Sequence, residues 1–164
     1  MACQVYLGLG GNERESLTLI REALKQIERL KGVHSLRYSR FYRTRPVSPI
    51  PQEKYINAVC CLETTMDAHT LLKQLQKIEC SLGKIPKPKE APRPIDIDIL
   101  FYGHEKINDD RLTVPHPLWQ ERLFVLAPLN DLTDEISLPD QKKCNLIEYL
   151  QQFPNHHLET VEII

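Results

Sequence analysis

Arg93-Pro94-Ile95-Asp96-Ile97-Asp98-Ile99-Leu100-Phe101-Tyr102 reads as a β-strand. Ile95, Ile97 and Ile99 alternate with Asp96, Asp98 and Leu100, and successive strand side chains point to opposite faces. One face is a β-branched stripe suited to a core. The other carries two carboxylates, about 7 Å apart at Cα by the strand rise. Two like charges on one face repel, so they call for a cation. Alternating carboxylates suit Mg²⁺, a hard ion that takes oxygen ligands and often holds substrate phosphates too. The alternative is an ordinary strand with a polar outer face. Arg93, at the mouth of the strand, carries a guanidinium able to grip a phosphate with two hydrogen bonds.

The segment upstream favours the metal reading. Lys84-Ile85-Pro86-Lys87-Pro88-Lys89-Glu90-Ala91-Pro92-Arg93-Pro94 holds four prolines after Ile85, which excludes a helix or central strand. Its three lysines and one arginine make it basic in a chain that is balanced elsewhere. A cationic arm feeding a dicarboxylate suits a metal–polyphosphate site: the acids hold the metal and the bases neutralise the remaining oxygens.

Composition narrows the field. The chain has 164 residues, 41% hydrophobic, with a formal net charge of −1, so no global field draws it to nucleic acid or membrane. No apolar run is long enough to span a bilayer, and Met1–Leu7 lacks the basic and apolar regions of a cleavable presequence. The five cysteines (Cys3, Cys60, Cys61, Cys80, Cys144) include no Cys-x-x-Cys pair and read as reduced, packed thiols of a cytoplasmic protein. No domain boundary is visible, so one domain over residues 1–164 is the expectation.

Working outward, Gln4 to Gly8 reads as a strand, and Gly8, Gly10 and Gly11 as a tight turn, its backbone exposed near whatever binds, leading past Asn12 into a helix. Glu13 breaks Gly-x-Gly-x-x-Gly, and no Gly-Lys-Ser/Thr follows, which excludes two nucleotide-binding loops. Leu17, Ile20, Leu24, Ile27 and Leu30 share a helix face over Leu17–Leu30, with Ser16 as cap and Gly32 as stop. Ser35 to Thr44 alternates as one strand. After a proline-stiffened loop, Tyr55 to Thr65 alternates again, with Ile56, Ala58, Cys60 and Leu62 inward. Tyr55 and Asn57 face the other way; an aromatic beside an amide suits a flat heterocycle, unless Asn57 only satisfies a neighbouring loop. Asp67 caps a helix over Ala68–Leu82 that Gly83 ends, buried through Leu71, Leu75, Ile78 and Leu82. Glu79, beside that stripe, reads as solvated. A hairpin-like region follows Gly103. His116, fixed between Pro115 and Pro117, is within reach of a phosphate; no second His or Cys stands at zinc spacing. Leu118–Leu129 and Leu146–Phe153 read as helices and Leu158–Ile164 as a strand.

The order strand–helix–strand–strand–helix–strand implies an α+β fold, a ferredoxin-like βαββαβ sandwich with an antiparallel sheet and a C-terminal helical and β extension. Fold alone leaves two alternatives open for this chain, a non-catalytic ligand-binding module and a diverged kinase for another acceptor alcohol. The near-neutral charge and the missing aromatic signature of RNA-recognition sheets argue against RNA.

Lys89-Glu90-Ala91-Pro92-Arg93-Pro94-Ile95-Asp96-Ile97-Asp98-Ile99-Leu100 resembles the signature of the 6-hydroxymethyl-7,8-dihydropterin pyrophosphokinase family of folate biosynthesis. Leu7–Asn12, Phe41–Thr44, Tyr55–Ala58, Ile78-Glu79 and Leu112–Pro117 are similar to further pieces of it, in the same order. The resemblance implies transfer of pyrophosphate from ATP to the pterin hydroxymethyl group, releasing AMP. It implies that Asp96 and Asp98 hold two Mg²⁺ ions, that Arg93 and Lys84 stabilise the transferring group, and that His116 and Arg122 bind ATP phosphates. Glu79, Leu112 and Thr113 would sit near the nucleotide. Thr44, Val47, Tyr55 and Asn57 would surround the pterin, Phe124 would stack on it, and Asn12 would order the first loop near it. The implied partners are these two small molecules; no nucleic acid, no membrane and a cytoplasmic monomer are the further expectations. Three positions depart from the family pattern: Lys84 stands where an Arg is common, Glu90-Ala91 where a Trp-Gly pair is common, and Arg45 where a Pro is frequent. Lysine keeps the charge and loses the bidentate fork.

Overall fold

The computed structural model describes residues 1–11, 14–44, 55–84, 94–153 and 158–161. Strand β1 (Cys3–Gly11) leads to helix α1 (Ser16–Glu28). Strands β2 (Val33–Tyr38), β3 (Phe41–Thr44) and β4 (Tyr55–Thr64) follow, then helix α2 (Ala68–Ser81) and strand β5 (Asp96–Tyr102). The extension holds a hairpin of β6 (Ile107–Asn108) and β7 (Thr113–Val114), a 3₁₀ turn at Trp119–Glu121 and α3 (Leu123–Leu132). A second hairpin, β8 (Glu135–Ser137) and β9 (Lys143–Asn145), precedes α4 (Leu146–Leu150) and β10 (Leu158–Val161).

The main sheet runs β10-β3-β4-β1-β5, with β2 also on β4, and every pairing is antiparallel. Counting β2 and β3 as one interrupted strand gives the ferredoxin-like arrangement expected from the sequence. The strand expected over Ser35 to Thr44 is broken because its register on β4 slips by one residue twice. The first slip falls between His34 and Arg37, at Ser35, whose φ of 55° is the left-handed conformation of a bulge. The second falls at Ser39-Arg40: Tyr38 lies opposite Cys60, and Tyr42 opposite Asn57. Buried Ser39 patches the gap, its backbone N–H donating to Val59 O and its hydroxyl accepting from Val59 N at 2.9 Å.

Alternation builds two cores. Val5, Leu7 and Leu9 join Ile56, Ala58, Cys60 and Leu62 and Ile97 and Ile99 on one face, under Ile20, Leu24 and Ile27 of α1 and Leu71, Leu75 and Ile78 of α2. Each such fully buried Leu or Ile contributes about 1.5–3 kcal/mol. On the opposite face Tyr6, Val59 and Cys61 meet Val125, Leu126 and Leu129 of α3. A bulge between Tyr6 and Leu7 in the β1–β5 register lets Leu100 and Phe101 both turn to this second face. Trp119 then stands edge-on to Phe101 and Tyr149, which ties the 3₁₀ turn and α4 to the sheet.

Three local expectations are corrected. The glycines after Leu7 belong to the strand β1 and form no turn. Ser16 is not the cap: it is the first helical residue, buried, and its hydroxyl donates to Pro94 O at 2.9 Å, stapling α1 to the entry of β5. The helix expected over Leu118–Leu129 starts as the 3₁₀ turn and continues as α3 to Leu132. The β8–β9 hairpin was not legible in its short segments. Asp67 does cap α2, accepting from Thr70 N at 2.9 Å. Cys60, Cys61 and Cys144 are buried thiols, Cys3 is half-buried and Cys80 is exposed. Among the described residues no helix is long and apolar enough to cross a membrane.

Candidate active site

A row of aligned residues crosses the sheet. Tyr42 on β3 lies opposite Asn57 on β4, Asn57 opposite Gly10 on β1, and Gly10 opposite Asp96 on β5. One step along, Val59 lies opposite Gly8 and Gly8 opposite Asp98. Directly opposed side chains share a face. The glycines therefore leave a trough between the amide of Asn57 and the carboxylates, about 10 Å across by strand spacing. A Cβ on Gly10 would collide with Asn57 Oδ1, and one on Gly11 with the Pro94 carbonyl. The Gly-rich segment is thus the floor of a cavity.

That cavity measures about 640 Å³. Asp96, Asp98, Lys84, His116 and Arg122 line one end and Tyr55 and Asn57 the other, with Phe124 beside Arg122. Lys84, at the end of α2, reaches Asp96 Oδ1 and Glu79 Oε2, each at 2.7 Å. Glu79 is buried, against the expectation of a solvated helix residue. The same Oε2 accepts the backbone N–H of Ile97 at 2.9 Å. Burial pushes the Glu79 carboxyl up, although Lys84 and the Ile97 amide pull it down. Burial alone would lower Lys84, but hydrogen bonds to Asp96 and Glu79 leave it raised.

Asp98 is open to the cavity yet recessed among protein atoms. That desolvation raises its carboxyl, His116 opposes the shift and the like charge of Asp96 adds to it. His116 is anchored by its backbone N–H to Leu100 O at 2.9 Å, and its Nδ1 accepts from Leu118 N at 3.2 Å. Partial burial lowers its ring below the ordinary histidine value, against the pull of Asp98. With Nδ1 accepting, the neutral ring carries its proton on Nε2, a donor for an anion. The Arg122 guanidinium lies 5.4 Å from the centre of the Phe124 ring, joining the cationic end to the aromatic one.

Eight of the residues singled out in the sequence thus line one cavity: Lys84, Asp96, Asp98, His116, Arg122, Tyr55, Asn57 and Phe124. Glu79 stands behind them. Leu112 is buried in the first core, and Thr113 is exposed on β7. The Thr44 backbone pairs with Tyr55 at the end of β3. Asn12, Val47, Arg45, Glu90, Ala91 and Arg93 lie outside the described residues. The glycine-rich backbone lies beside the cavity as expected, while Val59, Leu100 and Val125 were missed as lining residues. The signal for the glycines was their spacing of two, which places them on one face of a strand.

The carboxylate pair fits Mg²⁺. Among the described residues no group of three or more His, Cys, Asp or Glu side chains gathers around the pair. Two carboxylates opening on a cavity with basic walls suit an ion that completes its shell with water and phosphate oxygens.

The sequence profile described as 7,8-dihydro-6-hydroxymethylpterin-pyrophosphokinase (HPPK) matches residues 6–134. The 2-amino-4-hydroxy-6-hydroxymethyldihydropteridine pyrophosphokinase of Haemophilus influenzae is 35% identical over 153 residues, 93% of this chain and 94% of its own. That of Pseudomonas aeruginosa is 36% identical over 159 residues, covering 97% of each. The mitochondrial folate synthesis bifunctional protein of Pisum sativum is 41% identical over 129 residues, 79% of this chain and 25% of its own. The crystal structure of Plasmodium falciparum HPPK-DHPS with pteroate superposes with a TM-score of 0.77 at 13% identity, over 99% of this chain and 48% of the other. At that identity the likeness concerns the fold. This chain spans under half of that protein and a quarter of the pea one, so their further activities are not carried over.

Proposed function

This chain belongs to the 7,8-dihydro-6-hydroxymethylpterin-pyrophosphokinase family, and from that premise we infer how its residues carry the reaction. It transfers pyrophosphate from ATP to the hydroxymethyl group of 6-hydroxymethyl-7,8-dihydropterin, giving AMP and the pterin diphosphate, a step of folate synthesis. The observation that supports the assignment of roles is the single trough with carboxylates and bases at one end and an aromatic–amide pair at the other.

Asp96 and Asp98 would hold Mg²⁺, two ions by the family resemblance, which would supply charge neutralisation and Lewis-acid polarisation at the triphosphate. His116 and Arg122 bind phosphate oxygens, His116 through its Nε2 proton. Lys84 and Arg93 offset the charge that builds on the transferring group. Leu112 and Thr113, on the hairpin leading to His116, flank the nucleotide, and Glu79 keeps Lys84 and the strand in place. Asn57 bonds the polar edge of the pterin and Phe124 stacks on its ring, with Tyr55, Thr44 and Val47 as further pterin residues and Asn12 ordering the first loop. The glycine floor lets the hydroxymethyl oxygen approach the phosphate between them. No protein nucleophile is required: rate comes from aligning two substrates and stabilising charge. The protein works as a single-domain cytoplasmic monomer.

The test is direct. Mg-ATP and 6-hydroxymethyl-7,8-dihydropterin incubated with the protein should yield AMP and the pterin diphosphate. ADP as the nucleotide product, or no nucleotide turnover, overturns the reading.

A further inference from the structure

Asp131 stands on α3, away from the cavity, at the centre of a polar clamp. Its Oδ1 accepts from Arg40 Nη2 at 2.8 Å. Its Oδ2 accepts from Arg40 Nε at 3.2 Å, from the Arg40 backbone N–H at 3.0 Å and from the Tyr42 hydroxyl at 2.9 Å. The carboxylate is 15% exposed, while the Arg40 side chain is 62% exposed and rests 5.6 Å from the centre of the Tyr42 ring. Burial, and then the bond to Asp131, push the Tyr42 hydroxyl up to about 12, so it stays a donor. Both oxygens are thus engaged, by a fork and a phenol from the irregular junction of β2 and β3.

This contact does what apolar packing cannot. Val125, Leu126 and Leu129 seat α3 on the sheet, but hydrophobic contact is non-directional and leaves a helix free to roll or slide. A bidentate arginine–carboxylate pair fixes orientation. Asp131 lies seven residues after Phe124, two turns along the same helix stripe and about 10 Å away. Tyr42 lies directly opposite Asn57. The chain of contacts from Asn57 through Tyr42, Asp131 and α3 returns to the cavity at Phe124, so the clamp sets the gap between the amide wall and the aromatic wall.

We propose that Asp131 is a positioning residue for the pterin pocket, holding α3 through Arg40 and Tyr42 so that Phe124 faces Asn57 at the spacing of a flat heterocycle. The proposal rests on the assignment of Asn57 and Phe124 to the pterin. It is tested by the dissociation constants of 6-hydroxymethylpterin, followed by its fluorescence, and of a non-hydrolysable ATP analogue. Asp131→Ala is expected to weaken pterin binding about tenfold and to leave the nucleotide constant unchanged. Adding Asp131→Ala to Phe124→Ala should cost nothing further, and Asp131→Glu should recover part of the loss. Arg40→Ala, at an exposed side chain, should reproduce the effect and decides the matter alone if the Asp131 variant does not fold. Unchanged pterin binding in Asp131→Ala and Arg40→Ala, while Phe124→Ala weakens it, overturns the proposal. So does equal weakening of pterin and nucleotide, which marks general loosening. If Phe124→Ala also binds pterin normally, the pocket assignment itself falls, and the proposal with it.

Discussion

The carboxylate of Glu79 accepts the backbone N–H of Ile97, the residue between the two aspartates of β5, at 2.9 Å. A strand with carboxylates on one face has no side chain of its own to fix its free edge, and the buried acid from α2 supplies that fixed point. Glu79→Ala leaves this amide without its partner and takes one of two carboxylates from Lys84. Unfolding in urea should show a loss of about 1–3 kcal/mol, with a smaller loss for Glu79→Gln, which keeps an acceptor. Equal stability of all three proteins would remove Glu79 from its place as the anchor of the strand.

Asp96→Ala and Asp98→Ala should each abolish AMP production while leaving the circular dichroism spectrum and unfolding midpoint near those of the parent, because both side chains face the cavity rather than a core. Divalent-ion binding, followed with Mn²⁺ by electron paramagnetic resonance, should weaken in parallel. Near-normal turnover in either variant would sink the metal assignment.

Gly10→Ala places a methyl group against Asn57 Oδ1. The amide has to move, since the strand backbone cannot. The expected result is a pterin dissociation constant raised about tenfold with the ATP-analogue constant little changed. A loss confined to the nucleotide would show that Asn57 does not meet the pterin.

Hydrogen bonds from the Thr70 backbone and hydroxyl hold the Asp67 carboxyl below its ordinary value of 3.8. A depressed carboxylate contributes stability that is present above the unfolded value and lost as pH falls through the folded one. Asp67→Ala should therefore melt a few degrees lower than the parent at neutral pH, and the difference should narrow on acidification below 3.8. A gap independent of pH would mean that the charge of this cap contributes nothing.

The periodicity of Ile95–Ile99 was legible because its isoleucines are buried while Asp96 and Asp98 are not; Ile56–Leu62, buried on both faces, was legible from its apolar, partly β-branched run, and Asp67 announced α2 because capping chemistry is local. The break at Ser39-Arg40 was hidden: alternation continues in the letters, while register is set by pairing with β4. Glu79 was misread as solvated because its partners, Lys84 and the Ile97 amide, lie beyond the turn that follows α2. The carboxylates were visible as an alternating pair, but the trough that makes them a site depends on Gly8 and Gly10 facing them from the next strand. The role of Asp131 depends on Arg40 and Tyr42, about ninety residues upstream, and such a contact leaves no periodic trace.

The distribution of thiols offers a practical handle. Burial and the Glu105 charge raise the Cys3 thiol, and burial raises Cys60 and Cys61, which slows all three toward electrophiles. Cys80 is exposed on α2, next in sequence to Glu79. A maleimide dye should therefore attach there without engineering, and its emission would follow ligand arrival from the outer surface of the very helix whose inner side grips the aspartate strand.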